Sequence, residues 1–406
     1  MFKYQIMRLR TFESFWLVKN GLINSYPSLQ ENIEADIVVM GGGITGALIS
    51  HALMEKGYKV TLLDRRDIGQ GSTSATTSML QYEIDVPLYE LAEMIGETEA
   101  AECYKAGIQA LSTLENLVLK NNINCGFEKK ESLYMAHSKK AAINLKKEFD
   151  IRKKHDLGVQ WLGAENVLRD YEIVCHGAIL SACGASVDAY KLAHELIELN
   201  AKRGMKVYDQ TEIKDFDFNQ ARPVVTTIDG LLITTNKIIF CTGFESTELL
   251  KENVAKLFYT YACVSEQAIN VPTKLGKTLV WDTNDPYLYL RTTDDGRLLV
   301  GGEDSSNNFS FFQQKIKEKK TDKLIKKLKK ILPEVHFIED YSWGGTFGTT
   351  KDGLPYIGIS PEYENALFVL GFGGNGITFS IQGMEIITDL LEGKANPLTE
   401  HYRFGR

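Results

Sequence analysis

The chain has 406 residues, 44% hydrophobic and 24% charged, which is ordinary for a globular protein with room for two domains. Its net charge of −7 and pI near 5.7 argue against nucleic acid as the main partner. No apolar stretch approaches the roughly 18 residues of a membrane span, and Lys3, Arg8 and Arg10 interrupt any signal-peptide core, so a cytoplasmic protein is expected.

Residues 1–34 include Phe12, Phe15, Trp16 and Tyr26, too aromatic for a free tail, and this arm is expected to pack on the body. Next comes ADIVVMGGGITGALISHALMEKGYKVTLLD (35–64). The apolar run Ile37 to Met40 fits a buried parallel strand. It meets Gly41-x-Gly43-x-x-Gly46, then a helix from Ile44 through Thr45 to Glu55, then a strand from Lys59 to Leu63 that stops at Asp64. Each residue type answers a need of dinucleotide binding. Gly41 permits the tight turn, Gly43 a close approach to a pyrophosphate, and Gly46 close helix–strand packing. The helix N-terminus offers N–H groups and partial positive charge to the phosphates. Asp64, 18 residues beyond Gly46, is placed to accept from a ribose diol.

The following RRDIGQGSTSATTSM reads as a loop. Arg65, Ser74, Thr76 and Thr77 are its candidates for phosphate or flavin contact, although turn chemistry and N-capping explain hydroxyls there equally well. Residues 88–122 and 139–155 read as surface helices with charged faces. Asp188 precedes a helix that ends near Gly204, and Met205 to Tyr208 begins a strand. Ile213, just beyond it, joins the cofactor-contact candidates. Leu231–Thr235 and Lys237–Phe240 are further strands, the second ending at Cys241-Thr242-Gly243, where small residues suit a close ligand approach.

From Tyr259 to Glu303 the pattern alternates and is rich in tyrosine and β-branched residues, which fits antiparallel sheet. In KIKEKKTDKLIKKLKKIL (315–332), Ile316, Leu324, Leu328, Ile331 and Leu332 recur at helical spacing, with nine lysines on the other faces. That basic face is expected to be an ordinary solvated one, a membrane surface or acidic partner being the alternative. Glycine returns near the C-terminus in TFGTTKDGLPYIG (346–358). A strand from Ala366 to Leu370 follows, then GFGGNGITFS (371–380) entering a helix. Backbone brought close to a flat ring by Gly373, Gly374 and Gly376 suits an isoalloxazine. The six cysteines lack a C-x-x-C pair and are expected to be reduced and buried, and no metal ion is expected.

Taken together, these residues resemble the flavin-dependent amine oxidoreductases that include D-amino-acid, glycine and sarcosine oxidases. The anchors are DIVVMGGGITG with Asp64, FCTGF, LLVGGED, TKDGLPYIG and GFGGNGITFS, spread over nearly the whole chain. The arm with Trp16 and Tyr26-Pro27 is most similar to the gamma-glutamylputrescine oxidase branch. The resemblance implies FAD and an α/β (mixed α+β) fold. A Rossmann-like FAD-binding domain (1–85, 156–255 and 340–406) would be interleaved with an antiparallel-sheet substrate domain (86–155 and 256–339). It also implies oxidation of a C–N bond by hydride transfer to flavin N5, giving an imine that hydrolyses. Gly373, Asn375, Gly376, Ile377 and Thr378 match the stretch where the family holds the flavin's pyrimidine end.

The departures from the family are informative. Phe347 stands where glycine oxidases carry the arginine that grips the substrate carboxylate, and Thr378 where sarcosine oxidases carry a lysine for that purpose. Arg291 is left as the candidate replacement. Gly345 corresponds to the cysteine that tethers flavin in sarcosine oxidase, so FAD is expected to be non-covalent. Leu299 corresponds to a lysine linked there to oxygen activation, which leaves oxygen and other electron acceptors both open. Trp281, Tyr287, Tyr289 and Arg291 are the pocket candidates. Tyr287 matches a substrate-side tyrosine of glycine oxidase, and Glu303 falls where sarcosine oxidase has an active-site histidine. An acid at 303 suits a cationic amine, so a secondary-amine or polyamine-like substrate is expected. The rival readings are an FAD-binding protein without turnover and an NAD-dependent dehydrogenase.

Overall fold

The computed structural model describes residues 10, 14–306, 313–360 and 362–406. Its first sheet grows from the dinucleotide fingerprint. Ile33–Met40 runs parallel between Val60–Leu63 and Leu232–Phe240, and Tyr363–Leu370 continues the parallel set on the far side. Lys206–Tyr208 and the antiparallel Tyr356–Ser360 close the two ends of this path. Both faces are buried from Ile37 to Met40 and from Val60 to Leu63, which fits the apolar run of the first and the nearly apolar sequence of the second. One face carries the helices Ile44–Glu55, Ala189–Lys202 and Gly376–Leu391, whose residues Leu48, Leu196 and Ile386 are fully enclosed. The other face is capped by a second apolar cluster that includes Phe240, Phe368 and Phe404.

The second sheet is antiparallel except where Thr278–Asp282 pairs in parallel with Glu128–Met135. It starts at Glu339–Thr349 and passes through Lys256–Gln267, Arg297–Ser305 and Leu288–Thr292 to the middle strands. The lysine-rich helix Gln313–Ile331 lies against it, with Leu324 and Leu328, and Leu332 just beyond, buried on Leu288, Leu298 and Val300. Its apolar face is therefore the one the spacing predicts. Among the described residues no helix is long and apolar enough to cross a membrane.

Several expectations need correction. Val159–Leu162, Ala178–Ser186 and Glu339–Thr349 join the second sheet, although the expected FAD-binding segments 156–255 and 340–406 take in the first two and all but Glu339 of the third. Conversely, Leu88–Ile95 and Glu97–Lys120 pack into the helical core of the first sheet. Which sheet a segment joins depends on a partner far away in sequence, and local pattern carries no trace of it. The two strands expected at 231–240 are one, Leu232–Phe240. Exposed Asn236 and half-buried Lys237 break its apolar pattern but not its hydrogen bonding. The N-terminal arm packs as expected, with Phe15 and Trp16 buried, while Phe12 lies outside the described residues.

Candidate active site

The first glycine turn is as tight as its sequence suggests. Gly41 has φ +103°, and a Cβ there would meet the Cys241 carbonyl oxygen at 2.6 Å. At Gly46 an added Cβ would lie 1.8 Å from the Gly41 carbonyl oxygen, so helix and turn touch with no room for a methyl group. Gly43 opens the helix, and the Ile44 N–H donates to Thr73 Oγ1 at 2.9 Å. Thr45 shares a 2.8 Å hydrogen bond with Ser380, which joins this helix to the C-terminal one.

Asp64 accepts the Gly42 N–H at 2.6 Å on one oxygen and the Arg66 N–H at 2.8 Å on the other. Burial pushes its carboxyl up to about 6 despite these bonds. Each oxygen keeps a lone pair for a hydroxyl. Arg65 lies alongside and, with Arg66, is paired with Glu245.

The second turn lies opposite. Gly373 has φ +57° and donates to Gly348 O at 2.9 Å, and the Gly374 N–H donates to Asp85 at 2.8 Å. The Asn375 side chain donates to Glu83 O, and Thr378 Oγ1 donates to Gln81 O at 2.9 Å. Segment 81–85 is thus laced to the turn.

Both turns line one cavity of about 1030 Å³. Gly41, Gly43, Ile44, Thr45, Asp64 and Arg65 face it from the N-terminal side, and Gly373 to Ile377 from the C-terminal side. Thr76, Thr77, Ile213, Thr242 and Gly243 also line it. Gly46 does not, since its part is helix packing. Ser74 turns away and donates to Gly71 O at 3.0 Å; its neighbour Thr73 holds the cavity position instead. Thr378, too, is absent from the cavity wall because its hydroxyl serves Gln81.

The second sheet supplies the remaining wall, with Trp281, Tyr287 and Tyr289 lining it as expected. A Cβ on Gly301 would meet the Tyr289 ring at 2.4 Å, so that glycine makes room for the tyrosine. Arg291 is not part of this wall. It is buried and donates to the carbonyls of Thr77, Thr292 and Val187 at 2.8, 3.2 and 3.3 Å, with its guanidinium 5.4 Å from the Trp16 ring centre. Burial lowers its pKa to about 10, which leaves it charged at neutral pH but with no reach to a substrate.

Glu303 is the other correction. Leu299 and Gly301 face the cavity side of their strand, so simple alternation puts 303 there as well. A β-bulge intervenes: Tyr259 to Tyr261 on one strand faces Gly302 to Ser305 on the other. Gly302 at φ +129° and Glu303 at φ +58° carry the irregular backbone. Glu303 consequently turns to the lysine helix, 2.6 Å from Lys327, 3.4 Å from Lys320 and 3.6 Å from Lys323. Asp304 takes the cavity position instead. Its Oδ1 is enclosed and accepts no hydrogen bond among the described residues. Burial, with Asp85 adding like charge, pushes the Asp304 carboxyl up to about 6. The sequence signal for this was the Gly301-Gly302 pair beside two acids, a place where a strand can lose its alternation.

Burial disfavours the Glu303 ion, but the three lysines, led by Lys327, outweigh it and hold the carboxyl below its ordinary value. Replacing it with glutamine (Glu303→Gln) should cost about 1–2 kcal/mol at neutral pH, since the lysines retain partial solvation. That contribution is complete above the ordinary carboxyl pKa of 4.5 and is lost as pH falls through the lower folded value. Urea titrations of both proteins should converge in acid. An equal gap at every pH would contradict the assignment.

Fold and cavity together define a dinucleotide-binding protein, a Rossmann-like layer with a second sheet across the cavity. The chain belongs to the FAD dependent oxidoreductase family (DAO), whose model matches residues 36–390. Among its relatives, YhfW of Bacillus subtilis (strain 168), provisionally named a Rieske 2Fe-2S iron–sulfur protein, is 25% identical over 391 residues. That alignment covers 95% of this chain and 74% of YhfW. Glycine oxidase of Geobacillus kaustophilus (strain HTA426) is 25% identical over 369 residues, 88% of this chain and 93% of that one. Gamma-glutamylputrescine oxidoreductase of Escherichia coli (strain K12) is 23% identical over 393 residues, 94% and 89% of the two chains. The crystal structure of the Geobacillus glycine oxidase superposes with a TM-score of 0.76 at 20% identity, covering 92% of this chain and 99% of that one. The cofactor is FAD, and an NAD-dependent dehydrogenase is set aside. The residues present fit it: an Asp64 carboxylate with free lone pairs at one end, and glycine turns from both chain ends on one cavity.

Proposed function

We propose that this enzyme oxidises a C–N bond of an amine that carries an additional positive charge, using non-covalently held FAD. The observation that carries the reading is the shared cavity, with a glycine turn at either side and an aromatic, acidic wall across it. Between Trp281 and Ser306 the lining residues include three carboxylates, Asp282, Asp285 and Asp304, and no cation. Phe347, where glycine oxidases carry their carboxylate-binding arginine, also lines the cavity. A substrate carboxylate would meet repulsion on this wall, and an ammonium group attraction.

Bound FAD supplies the acceptor, N5, for the hydride equivalent leaving the carbon beside nitrogen. The chain's own residues bind, orient and exclude water. Gly41, Gly43 and Asp64 would hold the ADP half and residues 373–377 the ring end, while Gly46 keeps the helix packed on the turn. Trp281, Tyr287 and Tyr289 confine the amine so that its reacting carbon is held in one orientation. Asp304 and Asp85 receive the distal positive charge, which lets the reacting nitrogen be the neutral one. The imine product then hydrolyses in water. Cys241 lines the cavity, but burial holds its thiol protonated, which supports non-covalent FAD.

Purified protein should be yellow, and acid denaturation should move all flavin into a protein-free filtrate. An anaerobic screen of di- and polyamines, simple amines and amino acids should bleach the flavin fastest with the polycationic members. Readmitting oxygen then reports the acceptor through the rate of recolouring. Flavin retained by the denatured chain would defeat the non-covalent reading, and bleaching by neutral amino acids alone would defeat the substrate reading.

A further inference from the structure

Loop residues Ala75, Thr76 and Thr77 line the cofactor cavity, and their three successive carbonyls each accept a hydrogen bond from a different buried side chain. Trp343 Nε1 donates to Ala75 O at 2.8 Å, Trp16 Nε1 to Thr76 O at 2.6 Å, and Arg291 Nε to Thr77 O at 2.8 Å. The donors come from the second sheet and the N-terminal arm, far from the loop in sequence. They are only 1, 1 and 3% exposed, in that order. An indole has one donor, so each tryptophan commits its whole hydrogen-bonding capacity here. Arg291 has no carboxylate within 4.0 Å among the described residues, although it is a buried cation. Its partners are backbone carbonyls and the Trp16 ring. Phe15 stacks on Trp343 at 6.1 Å, which ties the arm to the sheet donor as well.

We propose that Trp16, Arg291 and Trp343 are positioning residues for FAD and that the N-terminal arm is a component of the cofactor site. In a trans peptide the N–H of one residue points opposite to the carbonyl of the residue before it. Drawing the carbonyls of Ala75 and Thr76 back into the protein therefore turns the N–H groups of Thr76 and Thr77 forward, towards the cavity. The two indoles behind the loop thus hold two donors in front of it for the electron-rich edge of the cofactor, and Arg291 fixes the end of the segment at Thr77 O, whose peptide partner, the Ser78 N–H, donates to Thr76 Oγ1 at 3.1 Å. The inference concerns FAD alone and holds whatever the substrate.

The test uses full-length Trp16→Phe, Arg291→Gln and Arg291→Lys, with Trp161→Phe as a distant indole control. Apoprotein is titrated with FAD, and thermal midpoints are taken with and without it. Trp16→Phe and Arg291→Gln should weaken FAD binding roughly tenfold, the effect of one lost hydrogen bond to a buried carbonyl. The gain in midpoint on adding FAD should shrink in addition to any fall in the apoprotein midpoint. Arg291→Lys should recover part of the affinity, and Trp161→Phe should match wild type. FAD affinities within about twofold of wild type for both principal variants would overturn the proposal. An apoprotein midpoint that drops while the FAD-induced gain stays the same would overturn it too, since that marks a role in folding alone. If Trp16→Phe yields no folded protein, the two Arg291 variants decide the matter by the same criteria.

Discussion

Replacing Gly46 with alanine is expected to empty the protein of flavin. The added methyl carbon would lie 1.8 Å from the Gly41 carbonyl oxygen, and that oxygen is backbone, so no side chain can swing aside. Either the helix Ile44–Glu55 moves away from the turn, or the turn itself reshapes. Neither is free to yield. The helix is enclosed through Ala47, Leu48 and Ile49, and the turn is backed by Cys241. Overpacking of this kind costs about 1–3 kcal/mol, and more where backbone must shift. The loss in cofactor affinity should exceed the loss in stability, because a displaced helix also withdraws its N-terminal N–H groups from the phosphates. The flavin-to-protein absorbance ratio and FAD titration of the apoprotein measure it. A Gly46→Ala protein that purifies with full flavin would show that the turn is looser than its geometry.

The second large effect belongs to Asp304. Asparagine there keeps the shape and removes the charge, and it should raise KM for a polycationic amine about 10- to 100-fold, the range for a charge-assisted hydrogen bond of roughly 1.5–3 kcal/mol. Its carboxyl titrates at about 6, so in wild type kcat/KM for that amine should climb as pH rises through this value and the ion forms. Asp304→Asn should lose that limb. An uncharged amine of similar size should feel the change little. Glu303→Gln, one residue away, should leave KM nearly as it is, because its carboxylate serves the lysine helix. If the two variants behaved oppositely, the bulge at 302–305 would have been assigned the wrong way round.

That one-residue difference shows what can be read before folding is known. In the unit from Ile37 to Asp64 the helix was legible to the residue and the second strand to within one, because they are decided by neighbours, although the first strand starts earlier than its apolar run, at Ile33. The second glycine turn was legible for the same reason, its helix beginning at Gly376. Glu303 misled because period-two alternation holds only while a strand stays regular. Arg291 misled because a cation in a tyrosine-rich sheet gives no sign of being met by carbonyls at 77, 187 and 292. Ser74 and Thr73 differ by one step around a short helix, which decides which hydroxyl faces the cavity. Where a side chain's direction depends on long-range pairing, residue type alone could not supply it.

The glycine turns at 41–46 and 373–376 sit near opposite ends of the chain yet border a single cavity. A ribosome making this protein therefore displays residues 41–46 long before residues 373–376 exist. Nascent chains that stop short of residue 373 lack the second turn and the Gly376–Leu391 helix packed on the first sheet, and so cannot enclose the coenzyme. Enclosing the flavin thus has to wait for residues 373–376, and it distinguishes chains that carry both turns from those that carry only the first.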